Sequence, residues 1–448
     1  MPPSRQSRRI SLSLAVLSLL AAGACASRSS TPPPPLPAEE QQRLDALAAD
    51  LEDLRTFLGI PGLQAAVVRN GALEWSREFG TIAPDAALPI GNLTEGFTAI
   101  AALRLEGRGV LRLDTPVNDL DPSFTGPRTV LVRHLLSHDS EETPGTTFQR
   151  ESAEFARLTR ILENASGRKF AQLLDKEVLR PAHLLSTRAT ASLSASTGLV
   201  SNARDLARLE AALNGNRLLA PEALRRMTSP TYTPNGFLPY GLGWFVTWSA
   251  GERMIWTFGE SPEGSALFFR LPDRGLALIL VADGPGLCAP FWLPYANPLR
   301  SSFVLSFLHR FAPLVQEARR LFPVDEAIDR ALALQWKRDP GAAAVFRVAL
   351  AGRDRFTSPD PALLAGLART VEPDLLAAAE TIGRQVQAGG WDNSRTLLDL
   401  AVLNMNARRP GQAVDILKGL LERPNVRSAS LLSEARRLLE EAERAAVP

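Results

Sequence analysis

Apolar residues recur at spacings of three and four near the beginning of the chain, between residues 39 and 58. They are Leu44, Leu47, Leu51, Leu54 and Leu58. This spacing places them along one face of an α-helix, with polar residues on the other face. The pattern therefore predicts an amphipathic helix at the start of the folded part of the chain.

Strand patterns follow, and the first of them predicts a hairpin. Two segments, 63–68 and 72–78, flank the pair Asn70-Gly71. Asn-Gly supplies the two positive φ angles of a type I′ turn, so we expect two antiparallel strands. Helical and loop signals then dominate residues 94–224.

Strand patterns return after this helical stretch. They cover residues 254–257, 266–271 and 277–281, and the last is almost continuously apolar. We therefore expect one antiparallel sheet built from both ends of a domain that spans residues 39–312. Because a helical region is inserted between its strands, the pattern indicates an α+β fold rather than a series of βαβ units.

Beyond Pro313 the strand patterns stop, and Ala, Leu, Arg and Glu dominate. We expect an all-α C-terminal domain over residues 313–448. Three of its predicted helices, over 394–408, 411–422 and 428–445, resemble the helix-turn-helix succession of tetratricopeptide repeats, although no period of about 34 residues repeats cleanly. Two interpretations stay open: a small helical bundle packed on the first domain, or a helical-repeat module that binds a protein partner.

The N-terminus has the three parts of a secretory signal. Three arginines precede an apolar run over 10–20, which small residues at 21–24 close. We assign a signal peptide to residues 1–24. The run is too short to span a hydrocarbon core of about 30 Å, so we expect export rather than a transmembrane helix. Ser7-Arg8-Arg9 resembles part of a twin-arginine export signal, but an ordinary basic segment explains it as well.

Cys25 is a candidate for lipidation. The segment Ala22-Gly23-Ala24-Cys25 resembles a bacterial lipobox, with alanine in place of its usual leucine. The Ser/Pro-rich residues 25–38 would form a semi-rigid, extended tether between a membrane and the domain. We expect a periplasmic lipoprotein, and the non-acidic Ala26 is consistent with the outer membrane. Cleavage after the small residues without lipidation is the alternative.

Charge and the counts of cysteine and histidine exclude several kinds of site. Fifty Lys and Arg residues against 48 Asp and Glu residues leave a formal charge of +2, which is too balanced for a nucleic-acid-binding surface. Two cysteines and four dispersed histidines make no metal-binding pattern and no disulfide framework. We therefore expect no nucleic acid, no metal and no other cofactor.

Short motifs between Leu63 and Leu287 stand in an order that resembles the serine β-lactamase and penicillin-binding-protein family, especially its class C and esterase-like branch. They are the segments 97–99, 105–107, 113–117, 132–138, 144–146, 196–206 and 240–244. Each motif is weakly specific, but the ordered series is strongly specific. The resemblance implies a β-lactamase-like antiparallel sheet flanked by helices, in agreement with the elements predicted above.

The resemblance also locates the first catalytic motif, which has lost its reactive groups. In the family, a serine nucleophile opens a helix, and a lysine one turn later takes its proton. Judged from the flanking residues, Asn92 stands at the serine position and Glu95 at the lysine position. An amide is not a competent nucleophile, and a carboxylate reverses the local charge.

The second and third motifs are altered in the same way. Where the family has Tyr-x-Asn, this chain has Arg150 and Ser152. A guanidinium stays protonated and cannot act as a general base. Where the family has Lys or His, then a small residue, then Gly, this chain has Thr257, Phe258 and Gly259. We therefore assign no catalytic residue at these positions.

Other nucleophiles and bases are expected to be structural. Thr94 should face the core of the domain rather than the pocket. His134 and His138 lie in a segment whose counterpart in the family is scaffold, so we expect the same role here. Ser140 and Ser261 have no base beside them in the sequence and should be solvated loop hydroxyls.

Asn92, Glu95 and Arg150 should meet in the vacated site, because the first two motifs face one cavity in the family. One interpretation is a buried Glu95–Arg150 salt bridge, with charged ends within about 6 Å, that fills the site. The other is a polar pocket for a ligand with both an amine and a carboxylate, such as a cell-wall peptide. Glu95 and Glu260 acting as an acid and a base are a third alternative.

These patterns favour an exported, lipid-anchored pseudoenzyme that binds an envelope ligand or partner rather than an enzyme. Two alternatives come from other classes of function. The first is a serine-hydrolase-like enzyme that cleaves a β-lactam, a D-alanyl peptide or an ester with unorthodox residues. The second is an envelope scaffold that recruits a protein partner through residues 313–448.

Lipidation of Cys25 predicts that the protein enters the detergent phase and carries the mass of a diacylglyceryl group, since two or more acyl chains give stable attachment to a membrane. Substitution Cys25→Ala should move it to the aqueous phase. Phase partition and intact mass measure both effects. A wild-type protein that is fully aqueous, and is cut after Ala24 or Ala26 without lipid, would contradict the prediction.

Overall fold

The computed structural model describes most of the chain after its N-terminal segment. The described residues are 36–141, 143–233, 236–249, 251–291, 293–313, 323–351, 361–388, 394–423 and 429–446. The predicted signal peptide, Cys25 and most of the predicted tether lie outside them. The chain divides into two compact units, residues 1–41 and 42–448. The described part of the first unit contains the beginning of helix α1 (Ala38–Leu58), which the apolar spacing predicts.

An antiparallel sheet forms the centre of the larger unit. The strands are β1 (Gly62–Arg69), β2 (Ala72–Gly80), β3 (Leu88–Pro89), β4 (Arg188–Ala189), β5 (Leu199–Ser201), β6 (Tyr232–Thr233), β7 (Gly236–Phe237), β8 (Phe245–Ser249), β9 (Glu252–Ser261), β10 (Gly264–Leu271) and β11 (Leu276–Asp283). Within the described residues, six of them form one sheet in the order β2-β1-β11-β10-β9-β8, and each pair is antiparallel. The sheet therefore joins both ends of the domain, as predicted.

The turn between β1 and β2 has the backbone that Asn-Gly predicts, with φ of 49° at Asn70 and 77° at Gly71. At the other edge, the pattern does not predict β8, which has five residues and no clear alternation. It forms through its pairing with β9, from Phe245 opposite Trp256 to Ser249 opposite Glu252. Strand β9 extends past the predicted residues 254–257, and this extension borders the candidate site.

Helices fill the chain between β2 and β8 and follow β11. They are α2 (Thr94–Gly107), α3 (Val117–Leu120), α4 (Val132–Leu136), α5 (Ser152–Ala156), α6 (Leu158–Ser166), α7 (Phe170–Leu174), α8 (Ala203–Asn214), α9 (Pro221–Met227) and α10 (Ser302–Phe311). Helix α2 is buried on all sides, since each residue from 94 to 103 is buried. Phe97 and Ile100 of α2 belong to the same apolar cluster as Ile279 of β11 and Leu206 of α8. Any polar residue in the first turn of α2 is therefore carried into the interior.

In the described residues of the C-terminal part, from 323 onward, every element is a helix, and short turns join some of the helices. Its helices are α11 (Pro323–Trp336), α12 (Ala342–Ala351), α13 (Pro361–Ala368), α14 (Pro373–Ala388), α15 (Ser394–Asn406), α16 (Pro410–Glu422) and α17 (Ala429–Ala446). One apolar cluster joins α11 to α15, and a second joins α15 to α17. Lys337 Nζ donates to the Phe57 carbonyl oxygen of α1 at 2.7 Å. The boundary near residue 312 and the repeat-like character stay predictions. None of the described helices combines the length and the apolar run that a membrane span requires.

Asp205 in α8 holds the loop at residues 185–187. Its Oδ2 accepts hydrogen bonds from the backbone N–H groups of Ser186 and Thr187, both at 2.7 Å, and from Thr187 Oγ1 at 2.8 Å. Its Oδ1 accepts from Leu185 N at 3.2 Å. Asp205 is fully buried, and both hydrogen bonds from Thr187 are buried with it, so these donors would lose their acceptor in a dry environment.

Asp205→Ala should lower the free energy of unfolding by about 3 kcal/mol or more, because several donors lose a charged acceptor. Urea unfolding measures this loss. Glu222→Ala is a matched control, since Glu222 pairs with Arg225 on the exposed surface, and it should cost less than about 1 kcal/mol. Equal losses for the two variants would contradict the anchoring role of Asp205.

Candidate functional site

The three altered motifs meet where the start of α2 approaches β9. A short 3-10 turn, Gly91–Leu93, precedes α2. A Cβ atom at Gly259 would lie 2.0 Å from the Ile90 carbonyl oxygen and 2.5 Å from Asn92 N. Glycine is thus required at position 259 for β9 to approach this turn. This requirement gives a steric reason for the glycine that the resemblance identifies in the third motif.

Asn92, which the sequence resemblance places at the serine position, is half-buried and contacts its neighbours through its amide. Nδ2 donates to Ser152 Oγ at 2.8 Å, to Glu95 Oε1 at 3.2 Å and to the Ser196 carbonyl oxygen at 3.2 Å. These bonds bring together the first two altered motifs. The lone pair of an amide nitrogen is delocalised into its carbonyl group, so Asn92 offers no nucleophile.

Glu95, which the sequence resemblance places at the lysine position, is completely buried. Its Oε2 accepts hydrogen bonds from Arg150 Nη2 at 3.1 Å and from the Tyr240 hydroxyl at 3.1 Å. His138 Nε2 lies 3.3 Å from the same oxygen. The Glu95–Arg150 pair predicted from the sequence is therefore confirmed.

His138 is buried beside Glu95, and its contacts there agree with the structural role expected from the sequence. Its φ of 52° lies in the left-handed region, which is uncommon for a residue with a side chain. The four-residue spacing of His134 and His138 is typical of a shared helix face and does not predict this conformation. Its Nδ1 accepts the Glu151 N–H at 3.2 Å, so Nε2 carries the proton and donates to Glu95. Neither ring nitrogen is left to accept a proton from a hydroxyl.

His134 also serves the scaffold. Its Nδ1 accepts the Leu131 N–H at 3.1 Å at the start of α4. Burial, reinforced by the charge of Arg133, lowers the pKa of His134 to about 4. The imidazole is therefore neutral at physiological pH and can keep this acceptor role.

Arg150 lies between the carboxylate and two aromatic rings. Its guanidinium carbon is 4.3 Å from the ring centroid of Phe258 and 5.6 Å from that of Phe245. Nη2 also donates to the Phe258 carbonyl oxygen at 3.2 Å. The phenylalanine where the family has a small residue thus forms a cation–π contact with the arginine where the family has tyrosine. The two substitutions are complementary.

Tyr240 is a site residue to which the sequence analysis assigns no role. It appears there as the first residue of the 240–244 motif, but its hydroxyl donates to Glu95 and its ring is fully buried. Burial and the charge of Glu95 raise the pKa of Tyr240 well above its usual value, so the phenol stays protonated. The chain separation of 145 residues between donor and acceptor leaves no local signal for this contact.

The remaining candidate residues divide into core and turn positions. Thr94 Oγ1 donates to the Gly91 carbonyl oxygen at 2.8 Å and faces the core as expected. Thr257 is fully buried, and its hydroxyl has no hydrogen-bond partner among the described residues. Ser261 lies in the β9–β10 turn, where its Oγ bonds to Gly264. Ser140 is 3% exposed, so the expectation of a solvated hydroxyl was wrong, because the loop that follows His138 is packed inside the domain.

Electrostatics keep Glu95 ionised. Burial by itself raises the pKa of this carboxyl, but the charge of Arg150 and the hydrogen bonds from His138 and Arg150 outweigh it and lower the pKa to about 2. Burial opposes the charge of Arg150 as well, but Glu95 outweighs this effect and raises the arginine's pKa. Glu95 and Arg150 therefore form a buried charge pair, in which Arg150 Nε has no hydrogen-bond partner among the described residues. Within the described part of the chain, no three His, Cys, Asp or Glu side chains come together as a metal site.

Removing one partner of the pair should destabilise the fold. Glu95→Gln should lower the free energy of unfolding by about 3 to 5 kcal/mol, because Arg150 then stays buried without its counter-ion. Arg150→Gln should cost less, since Asn92, His138 and Tyr240 still hold the carboxylate.

Urea unfolding of both single variants and of the double variant measures their coupling. The double variant should lose less than the sum of the two, by about 0.5 to 3 kcal/mol. Arg180→Gln, which removes an exposed pair with Asp175, is the control and should cost less than about 1 kcal/mol. Strictly additive losses at Glu95 and Arg150 would show that the pair does not act as a unit.

Solved structures share the fold of this chain. The octameric penicillin-binding protein homologue from Pyrococcus abyssi is 18% identical with a TM-score of 0.53, over 59% of this chain and 77% of that one. SurE is 22% identical with a TM-score of 0.50, over 62% and 77%. The D-amino acid amidase from Ochrobactrum anthropi SV3, in complex with L-phenylalanine, is 16% identical with a TM-score of 0.51, over 60% and 99%. At these identities the likeness is one of fold.

Sequence comparison assigns the family. No curated protein matches the chain. A family model described as Beta-lactamase matches residues 47–290, more than half of the chain. This range contains the sheet and all the residues of the site described above. The chain belongs to the beta-lactamase family.

Proposed function

We propose that this member of the family is a pseudoenzyme that binds a small envelope ligand and does not cleave it. The observation that carries this proposal is the buried Glu95 carboxylate at the position of the catalytic lysine, with hydrogen bonds from Asn92, His138, Arg150 and Tyr240. In serine hydrolases generally, loss of the nucleophile or its base costs on the order of a millionfold in turnover. Here both positions have changed.

Geometry also weakens the alternative of a hydrolase with unorthodox residues. A hydroxyl nucleophile needs a base within hydrogen-bonding distance. Ser152 Oγ accepts from Asn92 Nδ2, an amide that cannot take its proton. His138, the imidazole of the pocket, uses one ring nitrogen for Glu151 N and the other for Glu95. The proposal therefore assigns these residues to recognition.

The chemistry of the site favours a ligand with an amine and a carbonyl or carboxylate, such as a fragment of a cell-wall peptide. Asn92 and Ser152 are half-buried and offer neutral polar groups, whereas the Glu95–Arg150 pair is buried. A D-amino acid amidase in complex with an amino acid is among the proteins of similar fold. That complex makes an amino-acid ligand a reasonable class to test here.

The proposal includes export and a membrane anchor at Cys25, on the basis of the N-terminal sequence. A lipid anchor and a tether would hold the binding domain beside the envelope. The C-terminal helices would then be available to a protein partner in the same compartment. The partition of the wild-type protein and of Cys25→Ala tests this part separately from the chemistry.

No covalent penicilloyl adduct should form when the protein is incubated with a fluorescent penicillin, and a chromogenic cephalosporin should turn over at the background rate. Intact mass spectrometry and absorbance measure the two. Asn92→Ser should also fail, because Glu95 and Arg150 supply no base for the new hydroxyl. A stoichiometric adduct on the wild-type protein would refute the pseudoenzyme, and an adduct on Asn92→Ser would reveal a base that this account lacks.

A further inference from the structure

Aromatic side chains form an exposed cluster on the β6–β7 hairpin and at the end of β8. Tyr232 is 75% exposed, Phe237 47% and Trp248 41%. The ring centroid of Phe237 lies 6.5 Å from that of Tyr232 and 5.0 Å from that of Trp248. We call these three residues the aromatic cluster. Apolar side chains that are exposed singly are common, whereas a contiguous exposed group marks an interaction surface.

Hydrogen bonds fix the backbone that carries the aromatic cluster. Thr231 Oγ1 donates to Oδ2 of the buried Asp139 at 3.0 Å, and Leu238 N donates to the Thr231 carbonyl oxygen at 2.8 Å. After the hairpin, Val246 N of β8 donates to the Pro239 carbonyl oxygen at 2.9 Å. The hairpin is thus held to the loop that contains Asp139 on one side and to the edge of the sheet on the other.

The aromatic cluster is separate from the Glu95 pocket. Phe245 of β8 contacts Arg150, whose guanidinium carbon lies 5.6 Å from the Phe245 ring centroid. Trp248 follows Phe245 by three positions, and successive side chains of a strand point to opposite faces of the sheet. Trp248 therefore lies on the other face of β8. A role for the aromatic cluster does not depend on the chemistry of the altered motifs.

The segment that carries the aromatic cluster is uncharged. Residues 227–251 contain no Asp, Glu, Lys, Arg or His, although 22% of the residues in the chain are charged. Arg253, which lies opposite Trp248 in β9, pairs with Asp273 at 3.3 Å. Transfer of this segment into a less polar environment would therefore remove water from none of its own side chains that carry charge. The charge pattern disfavours a partner recognised through ion pairs and favours a neutral, partly apolar one.

The orientation of the rings favours a lipid bilayer over a flat ligand. The ring plane of Phe237 is inclined by 64° to that of Tyr232 and by 72° to that of Trp248. Because the rings share no plane, a flat ligand such as a sugar ring cannot stack on all three. The interface of a bilayer sets no such requirement. Tyrosine and tryptophan are enriched there, since an apolar ring with a polar tip suits the headgroup region.

We propose that the aromatic cluster is a membrane-docking surface. The rings of Tyr232, Phe237 and Trp248 enter the headgroup region of a bilayer and hold the larger unit against it. Binding of this kind grows with the apolar area that is buried, so a cluster of this size gives weak, reversible docking that adds to the effect of a lipid anchor. The assignment rests on the proposed export to a compartment with a membrane, and it concerns a different part of the chain from Cys25.

Quenching of tryptophan fluorescence tests the docking surface. Full-length protein is combined with vesicles of phosphatidylcholine brominated on its acyl chains, which quenches a tryptophan that enters the bilayer, and with unbrominated vesicles as the reference. No tryptophan precedes Trp75 in the sequence, so insertion of the N-terminal segment gives no signal by itself. Wild-type protein should be quenched. Because residues 227–251 are uncharged, the quenching should persist at high salt.

Variants locate the quenched residue. Trp248→Phe should remove most of the quenching while it keeps an aromatic ring in the cluster. Trp75→Phe, at a half-buried residue of β2, is the matched control and should leave the quenching unchanged. Tyr232→Ser should shift the equilibrium about tenfold towards undocked protein, since one ring fewer enters the bilayer. Leu185→Ser, which changes an exposed apolar residue outside the cluster, should have no effect.

The outcomes separate docking from the anchor. Absence of quenching in the wild-type protein, or equal quenching in wild type and Trp248→Phe, would overturn the docking surface. Retention on insoluble cell-wall glycan that Tyr232→Ser abolishes, without any quenching by vesicles, would assign the aromatic cluster to stacking on sugars and would overturn it too. The anchor is tested by the mass and the phase partition of the same protein, so either proposal can fail alone.

Discussion

An ionised carboxylate cannot stay in a protein interior unless charges and hydrogen bonds replace the water that it loses. Glu95 imposes this requirement because it lies in the first turn of a helix that is buried on all sides. Asn92, His138, Arg150 and Tyr240 meet the requirement from four separate parts of the chain. Arg150, the cation that neutralises Glu95, packs its guanidinium against the Phe258 ring in a cation–π contact.

Two residues of the motif series have a clear backbone role in this fold. Gly259 is required because any side chain there would collide with the turn that precedes α2. Asp205 is the acceptor for three successive backbone N–H groups. Asn92 and Glu95, which the resemblance places at the nucleophile and base positions, take part instead in a hydrogen-bond network with Arg150 and Tyr240.

Much of the fold could be predicted from the sequence because it depends on local signals. Apolar spacing predicts α1, Asn70-Gly71 predicts the β1–β2 turn, and the separated strand patterns predict a sheet made from both ends of the domain. The Glu95–Arg150 pair followed from the order of the motifs together with the cost of a buried charge. His138 and Tyr240 could not be assigned to the pocket in this way, because a left-handed backbone carries the first into it and the second contacts Glu95 from 145 residues away. Strand β8 likewise depends on its partner β9 rather than on its own pattern.

The pH dependence of stability tests the central claim, that an ionised Glu95 holds this pocket together. Its pKa falls from 4.5 to about 2 on folding, so its contribution is fully present above about pH 4.5 and is lost as the pH falls towards 2, for a total of about 3 kcal/mol. Urea unfolding of wild type and Glu95→Gln from about pH 6 to about pH 3 measures it. We expect the stability advantage of wild type over Glu95→Gln to shrink steadily below about pH 4.5. A constant difference across this range would mean that Glu95 is protonated or unpaired in the native state and would contradict the account.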